Sequence, residues 1–230
     1  MPEHDADIGD FQGHVPVVRH KLTREQYLYR AGQAVHALYI VDVGFLRMSE
    51  LADDGREQVI GFRMGGDWIG LESIGLKQHR CDAVALDLSY VWELPIERTL
   101  AACAETRALQ ARLHEALARE IRGDWSWMLA LGTLGAENRL AAFLLDLAER
   151  RSRLGLVADR LLIPMRRIDI ANYLAIKHET VSRALSRLER QGLVAVRGRD
   201  VRILDMPGLA REAHATPSED GGVGRSRGSS

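Results

Sequence analysis

Four polar side chains near the C-terminal end of the chain have a spacing that suits the reading of DNA bases. They are Glu179, Ser182, Arg183 and Ser186. Steps of three and four residues place them on one face of a helix. An arginine guanidinium matches guanine O6 and N7, a glutamate accepts from the amino group of cytosine, and a serine bonds to a base or a phosphate. The spacing therefore predicts a helix that reads DNA.

The residues around this face predict how the helix is supported. Its opposite face carries Val181, Leu185 and Leu188, and the segment before it supplies Ile170, Ala171, Leu174 and Ile176. Two short helices that pack through such positions and are joined by a tight turn form a helix-turn-helix, here over 167–192. Ala175 takes the turn position where glycine is common, and Lys177 is a poor N-cap. From these residues alone, an ordinary helical hairpin is the alternative.

The segment after these two helices favours contact with DNA. Gly192 suits the end of the second helix, and residues 193–204 alternate apolar and polar around Gly198, which predicts a β-hairpin wing. Residues 136–211 contain 15 Lys or Arg and 9 Asp or Glu, a net charge of +6, although the whole chain has a net charge of −1. The side chains predicted to contact phosphates are Arg166, Arg167, Lys177, Thr180, Arg187, Arg197 and Arg199. A solvated charged surface is the alternative for these residues.

The size and composition of the chain indicate a globular protein with two domains. It has 230 residues, of which 46% are hydrophobic, and no run approaches the roughly 18 apolar residues of a membrane span. The acidic N-terminal segment lacks the basic and apolar regions of a signal peptide, so we expect a cytoplasmic protein. Cys81 and Cys103 are too few for a disulfide framework and are not spaced like metal ligands. We expect both thiols to be reduced and structural.

The N-terminal half predicts a domain built from short strands. Residues 1–18 are polar and irregular, and we expect them to be flexible. From Arg19 to Pro95, short apolar runs recur between glycines, which are expected to mark turns. The clearest runs are Ala37–Val43, Phe45–Ser49, Gln58–Phe62 and Val84–Leu88. This pattern favours a β-roll or barrel over residues 19–98.

A long helix is predicted next, because residues 96–134 contain little glycine and no proline. A stripe recurs along it at steps of three and four residues through Leu113, Leu117, Ile121, Asp124, Met128 and Leu131. Such a stripe suits pairing with a second copy of the helix, so we expect a homodimer joined over 108–131, within a dimerisation helix at 99–134. Packing of the stripe on the β-domain of the same chain is the alternative. Asp124 would lie near its twin, and two close carboxylates would weaken pairing.

The rest of the chain forms the C-terminal domain and a tail. Gly132 and Gly135 are expected to form a hinge before a domain at 135–212, whose first helix is predicted over Glu137–Arg153. Residues 213–230 are rich in glycine and serine and are predicted to be disordered.

This order of elements resembles that of the CRP/FNR superfamily of bacterial transcription regulators. The segments that carry the resemblance are GDWIGLESIG (66–75), EIRGDWSWML (120–129), LGAENRLAAFLLDLAERR (134–151) and DIANYLAIKHETVSRALSRLERQGLVAVRG (169–198). The resemblance extends over 19–205 and implies an α+β fold: a cyclic-nucleotide-binding-like jelly-roll β-domain, a long dimerisation helix and a winged helix-turn-helix.

The reading residues are similar to those of the FNR branch. Glu179, Ser182 and Arg183 match its E-x-x-S-R triplet, which implies a dimer that recognises an inverted repeat of TTGAT-like half-sites. His178 stands where FNR itself has an apolar residue, and we include it among the base-reading residues. The resemblance also implies transcriptional activation, with contacts to RNA polymerase from the loop at 51–57 and other surfaces of the β-roll. A solvated acidic turn explains that loop equally well.

The resemblance leaves the signal open. The iron–sulfur cluster of FNR proper needs about four thiolates, whereas this sequence has two cysteines and has Trp92 at the position of the β-roll ligand. Relatives that bind cAMP carry Gly-Glu-Leu and an Arg-Ser or Arg-Thr pair, but here the turn is Gly70-Leu71-Glu72 and Cys81 and Asp82 follow Arg80, so cAMP is not expected. A haem or nitric oxide sensor is one alternative, and regulation by protein abundance or proteolysis without a ligand is another. The candidate haem ligands are His14, His20, His36 and His79.

An enzyme and a small-molecule-binding module are the alternatives to a DNA-binding protein. An enzyme would need a nucleophile with its base, or a set of metal ligands, and the sequence contains no G-x-S-x-G, H-E-x-x-H or phosphate-loop motif. We therefore expect no catalytic activity. A module that binds a small molecule without binding DNA is the remaining alternative.

Overall fold

The N-terminal half forms a β-roll of two antiparallel sheets. The computed structural model describes residues 6–52 and 54–214. One sheet has the strand order β1-β8-β3-β6 and the other β2-β7-β4-β5. The strands are β1 Val18–Leu22, β2 Tyr27–Tyr29, β3 Ala37–Val43, β4 Phe45–Leu51, β5 Glu57–Met64, β6 Trp68–Ile69, β7 Asp82–Ala85 and β8 Ser89–Pro95. The predicted β-roll is confirmed.

The two sheets enclose an apolar core to which every strand except β5 contributes. Its buried members include Leu22, Val41, Leu46, Met48, Ile69 and Val91. A tight turn at Gly44 joins β3 to β4 with φ of 102°, and a Cβ atom there would lie 2.3 Å from Ser89 Oγ. Glycine is therefore required at this turn. The strand predicted at Val84–Leu88 instead ends at Ala85, and β8 was not predicted.

The N-terminal segment is ordered where the structure describes it, which corrects the prediction of a flexible segment at 1–18. Helix α1, Ala6–Gln12, is followed by a turn into β1. Ile8, Phe11 and Val15 are each at most 3% exposed, and the Phe11 ring meets the edge of Trp68 at a centroid distance of 5.5 Å. Three apolar residues at steps of three and four residues were the signal for this docked segment.

The predicted single helix over 96–134 is two helices. Helix α2, Ile96–Glu105, packs on the β-roll through Ala102 and Cys103, and α3 extends over Arg107–Thr133. Thr106 lies between them in an extended conformation with φ of −120° and ψ of 106°. A β-branched residue leaves the helical conformation at little cost in free energy. The break allows α2 to pack on the β-roll while α3 runs in a different direction. Helix α3 is about 40 Å long.

The C-terminal domain combines four helices with a three-stranded sheet of order β10-β11-β9. Its elements are α4 Ala136–Arg153, β9 Arg160–Leu162, α5 Arg167–Tyr173, α6 His178–Arg190, β10 Val194–Arg197, β11 Asp200–Ile203 and α7 Met206–His214. The predicted helix-turn-helix and wing are confirmed, whereas β9 and α7 were not predicted. Ala213 is buried in α7, so the disordered tail predicted from residue 213 is wrong for its first two residues. The rest of that tail, 215–230, lies outside the described residues.

The two halves of the chain share one apolar core. Val59, Phe62 and Met64 of β5 belong to the same buried cluster as residues of α4, α5 and α6. The C-terminal domain therefore packs directly against the β-roll of its own chain. Among the described helices, none has the length and apolarity needed to cross a lipid bilayer.

Candidate nucleic-acid interface

Helix α6 is anchored by its apolar face, as predicted. Val181, Leu185 and Leu188 are 0%, 4% and 2% exposed. The turn from α5 is closed by a hydrogen bond from Ile176 N to Ala171 O of 3.0 Å. Ala175 adopts a φ of 53°, the left-handed conformation that makes glycine common at this position. The sequence signals for the turn and for the packed face were both local and both correct.

The opposite face of α6 is open to solvent. Its exposed residues are Glu179, Ser182, Arg183 and Ser186. Ser182, Arg183 and Ser186 line a shallow groove, and its remaining lining residues are Glu137, Arg187 and Arg190. The structure therefore brings the predicted reading triplet together on the accessible face of α6. The opposite, buried face holds the helix in place.

Two short contacts orient the reading side chains. Arg183 Nη2 donates to Thr180 Oγ1 at 3.2 Å, so this hydroxyl supports the arginine, and its own hydrogen stays free to donate to a phosphate as predicted. His178 Nδ1 lies 3.4 Å from Glu179 Oε2, and both side chains are more than half exposed. His178 is thus adjacent to the triplet, at the first residue of α6.

Some of the cations predicted to bind phosphate are exposed, and others form ion pairs with carboxylates of the same chain. Lys177 and Arg197 are exposed. Arg199 is also exposed, with its Nη1 atom 3.8 Å from Asp87 Oδ2. Arg167 is half-buried, and burial lowers the pKa of its guanidinium. These four residues remain candidates for contact with a DNA backbone.

Arg187 and Arg166 are paired with carboxylates of their own chain, and their contact with phosphate stays a prediction. The Arg187 guanidinium lies between Glu137 of α4 and Glu212 of α7. Arg166 donates twice to Asp169, from Nε at 2.9 Å and from Nη2 at 3.0 Å. The Arg187 pairs tie α6 to α4 and α7, across 50 and 25 positions of the sequence. The Arg166 pair lies at the N-terminus of α5 itself.

Arg139 is a functional candidate that sequence reasoning missed. Its guanidinium donates to Leu131 O at 2.8 Å and to Leu134 O at 3.1 Å, at the end of α3. It also donates to Leu174 O at 3.0 Å, in the turn before α6. One side chain thus satisfies carbonyl groups at the ends of two helices and joins α3 to the helix-turn-helix. The sequence alone identified Arg139 only as one of the positive charges of the C-terminal domain.

The predicted dimer stripe is used in two ways along α3. Leu113 is 6% exposed and packs with Leu109 and Ala116 against the β-roll of its own chain, and Leu117 packs on the same cluster. The prediction that Leu113 and Leu117 form a dimer seam is therefore corrected, and the alternative of packing within the chain holds for them.

The second half of α3 exposes a continuous apolar face. Its exposed residues are Ile121 at 48%, Trp125 at 65%, Met128 at 62% and Leu129 at 65%. Steps of four, three and one residue place them side by side. Of the remaining predicted interface residues, Asp124 is exposed and Leu131 is half-buried. Trp125 and Leu129 were missed because the apolar face is rotated relative to the predicted stripe.

The interior of the β-roll contains a polar cluster that satisfies itself. The rings of Tyr29 and His79 are stacked at a centroid distance of 3.6 Å, and His79 Nδ1 lies 3.1 Å from Ser73 Oγ. Tyr29 Oη donates to Glu72 Oε1 at 3.3 Å, and Cys81 Sγ donates to the same oxygen at 3.6 Å. Burial raises the pKa of Cys81 to about 12 and also raises the pKa of Tyr29.

The residues of the β-roll do not fit a cyclic nucleotide, an iron–sulfur cluster or a metal ion. A cyclic phosphate needs a cation facing the roll, but Arg80 is 73% exposed and lies 3.7 Å from Glu50. Cys81 and Cys103 are buried in different clusters, and these two thiols are fewer than the roughly four thiolates that an iron–sulfur cluster needs. Within the described ranges, no group of three or more His, Cys, Asp or Glu residues could bind a metal ion.

The candidate haem ligands are dispersed. His14 and His36 are exposed, whereas His79 is buried in the polar cluster. His20 Nε2 lies 2.8 Å from Glu93 Oε2 at the surface of the roll. The geometry selects none of the four as an axial ligand.

Comparison with known proteins assigns the chain to a family. Residues 19–106 match the cyclic nucleotide-binding domain, and residues 138–212 match the Crp-like helix-turn-helix domain. Over 188 residues the chain is 36% identical to the transcriptional activator protein FnrA of Stutzerimonas stutzeri, covering 82% of this chain and 77% of FnrA. The chain belongs to the CRP/FNR family of transcription regulators.

Further CRP/FNR proteins agree with this assignment. The fumarate and nitrate reduction regulatory protein of Escherichia coli K12 is 32% identical over 216 residues, covering 94% of this chain and 85% of that protein. The structure of FixK2 from Bradyrhizobium japonicum superposes with a TM-score of 0.78 at 31% identity, covering 88% of this chain and all of that one. The predicted resemblance and the prediction of a DNA-binding transcription regulator are confirmed.

Proposed function

We propose that this CRP/FNR protein is a cytoplasmic homodimer that binds an inverted repeat of TTGAT-like half-sites and activates transcription. The observation that carries the proposal is the accessible face of α6, on which Glu179, Ser182 and Arg183 stand together while the opposite face is buried. Arg183 would bind guanine and Glu179 would accept from cytosine. Lys177, Arg197 and Arg199 would contact phosphates, which fix register without reading sequence.

The exposed apolar face of α3 supports the homodimer. Trp125, Met128 and Leu129 are each more than half exposed in the single chain, and a cluster of large apolar side chains on one helix face is typical of an interface. Two-fold pairing through this face would present two copies of α6, as an inverted repeat requires. The carboxylate of Asp124, at the border of the face, would oppose pairing.

The DNA-binding proposal is tested by titrating the purified protein against a labelled duplex with the site TTGAT-N4-ATCAA and against a scrambled duplex. Arg183→Ala should weaken binding to the specific duplex by about 5- to 150-fold for each half-site, since one bidentate base contact contributes about 1–3 kcal/mol. Its binding to the scrambled duplex should change far less. Arg153→Ala is the matched control, because Arg153 is an exposed arginine that pairs with Glu149 on α4. Equal binding of the unaltered protein to both duplexes would overturn the proposal.

We further propose that DNA binding needs neither an iron–sulfur cluster nor a cyclic nucleotide. The separate burial of the two thiols and the outward position of Arg80 support this. The absorbance spectrum of the titrated sample and a repeat titration with cAMP test it. Colourless protein with the same affinity in both titrations is expected, whereas a Soret band or a large gain with cAMP would contradict it.

Contact with RNA polymerase is proposed for the loop between β4 and β5. Leu51 is 66% exposed at one end of this loop, and the Arg56 side chain is 85% exposed at the other. A Leu51→Ala variant should bind the operator normally and lose activation in a reconstituted transcription assay. Unchanged transcription would place the polymerase contact elsewhere.

A further inference from the structure

We propose that a polar clamp between the β-roll and α5 positions the recognition helix and thereby sets the half-site separation that the dimer accepts. The polar clamp consists of Arg47, Glu57, Gln58 and Val59 of the β-roll with Asp169 and Asn172 of α5. The inference rests on the proposed binding to an inverted repeat and adds the residues that determine its spacing.

Asn172 binds the open edge of the β-roll. Strand β5 is the last strand of its sheet. Asn172 Oδ1 accepts from Val59 N at 2.7 Å, and Asn172 Nδ2 donates to Glu57 O at 2.8 Å. Gln58 Nε2 in turn donates to Asn172 O at 3.1 Å. The side-chain amide thus makes the hydrogen bonds that a neighbouring strand would make.

A buried ion pair lies beside this contact. Arg47 of β4 is 9% exposed and Asp169 is 3% exposed. Arg47 Nη1 lies 3.1 Å from Asp169 Oδ1, and Arg47 Nη2 lies 2.7 Å from Glu57 Oε1. A buried charge that loses its partner is strongly unfavourable. The pair therefore favours the docked arrangement of the two domains over any arrangement that separates Arg47 from Asp169.

The same helix also contacts the dimerisation helix. Tyr173, the last residue of α5, stacks on Trp127 of α3 at a centroid distance of 4.4 Å and an interplanar angle of 3°. The Tyr173 ring also meets Phe62 of β5 at 5.3 Å. The clamp thus fixes a helix that touches both the roll and α3. Helix α6 follows α5 after a turn of four residues, 174–177, so its direction follows from the position of α5.

A fixed recognition helix constrains the operator. Insertion of one base pair between half-sites moves the second half-site by about 3.4 Å along the DNA and about 35° around it. A dimer whose reading domains are docked rigidly cannot follow this movement at both half-sites. Release of the polar clamp removes the hydrogen bonds and the buried ion pair that fix α5 on β5. The reading domain then keeps only its apolar contacts and the chain connection after α3, and it can shift to follow the second half-site.

The test measures binding of the full-length dimer to three duplexes that keep both half-sites. Their central spacers have the original length, one base pair fewer and one base pair more. For the unaltered protein, a one-base-pair change should weaken binding by at least about tenfold, because base contacts at one half-site are lost. For Asn172→Ala and Asp169→Asn, the loss should fall to within about threefold. Arg153→Ala is the matched control, since Arg153 is an exposed arginine of α4 outside the clamp and pairs with Glu149.

The outcomes separate the two proposals. If the unaltered protein does not distinguish the inverted repeat from a scrambled duplex, the proposed function fails. If it prefers one spacing and both clamp variants keep the same preference, the clamp does not position α6 and the inference is overturned. Circular dichroism establishes whether each clamp variant is folded at the assay temperature. If only one of the two variants is folded, the spacing preference of that variant decides the inference. A general loss of stability lowers all affinities together and leaves their ratio unchanged.

Discussion

Replacement of Asp169 by asparagine should destabilise the protein by an amount that the structure allows us to estimate. The substitution keeps the size of the side chain and removes its charge, so that Arg47 remains buried with one carboxylate partner fewer. Removal of one member of a buried ion pair costs about 3–5 kcal/mol. Glu57 Oε1 stays 2.7 Å from Arg47 Nη2, so we expect the lower end, about 3 kcal/mol.

Equilibrium unfolding in urea at neutral pH measures this difference. A loss of about 3 kcal/mol corresponds to a decrease in Tm of about 6–12 °C for a chain of this size. Arg166→Ala is the matched control, because it removes the other cation from Asp169 but its side chain is 56% exposed. An exposed ion pair contributes about 0–1 kcal/mol. If Asp169→Asn unfolds within about 0.5 kcal/mol of the unaltered protein, the buried pair does not stabilise the docked domains.

The pH dependence gives a second check on the same residue. Burial raises the pKa of Asp169, but hydrogen bonds and charge from Arg166 and Arg47 outweigh it and leave the pKa below its usual range. The carboxylate therefore contributes stability above its unfolded pKa of about 3.9 and loses it as the pH falls through the folded value. The difference between the unaltered protein and Asp169→Asn should be constant near neutral pH and should shrink below about pH 4. A difference that grows in acid would contradict this assignment.

Three further predictions concern other parts of the molecule. Trp125→Ala should raise the dimer dissociation constant by about 30-fold or more, as truncation of an interface tryptophan commonly costs about 2 kcal/mol, and an unchanged sedimentation profile would exclude this face. Burial raises the pKa of Cys81 to about 12 and also raises that of Cys103, so iodoacetamide should label the native protein slowly and the urea-unfolded protein rapidly; fast native labelling would contradict the burial. Ala175→Gly should stabilise the protein by up to about 1 kcal/mol, because relief of the left-handed conformation exceeds the entropy that glycine adds to the unfolded chain, and a clear loss in thermal unfolding would refute the strain at φ 53°.

The features that sequence reasoning identified correctly depend on neighbours in the chain. The buried face of α6, the left-handed turn at Ala175 and the hairpin at Gly198 each follow from residues a few positions apart. Steps of three and four residues and positive φ are local properties, and packing within the domain reinforces them. The reading triplet was found because it lies on such a local element.

The features that were missed depend on contacts between distant segments. Nothing near Arg47 in the sequence indicates a partner 122 positions away, and nothing near Asn172 indicates a strand edge. The dimer face of α3 was predicted in the wrong place because Leu113 and Leu117 pack on the β-roll of their own chain. The sequence does not show whether such residues contact the β-roll or a second copy of the helix. The break at Thr106 likewise follows from the packing of α2 on the roll, not from a helix-breaking residue.

The open edge of β5 has a consequence for the nascent protein. Val59 and Asn172 are separated by 113 positions, so at about 5–20 residues per second the ribosome needs roughly 6–23 s to deliver the side chain that covers the strand. During this interval the β-roll would present unpaired backbone groups of the kind that recruit strands from other chains. Chaperone demand and aggregation during expression should therefore depend on the rate of elongation between these two residues, and slow codons in that stretch should lower the soluble yield.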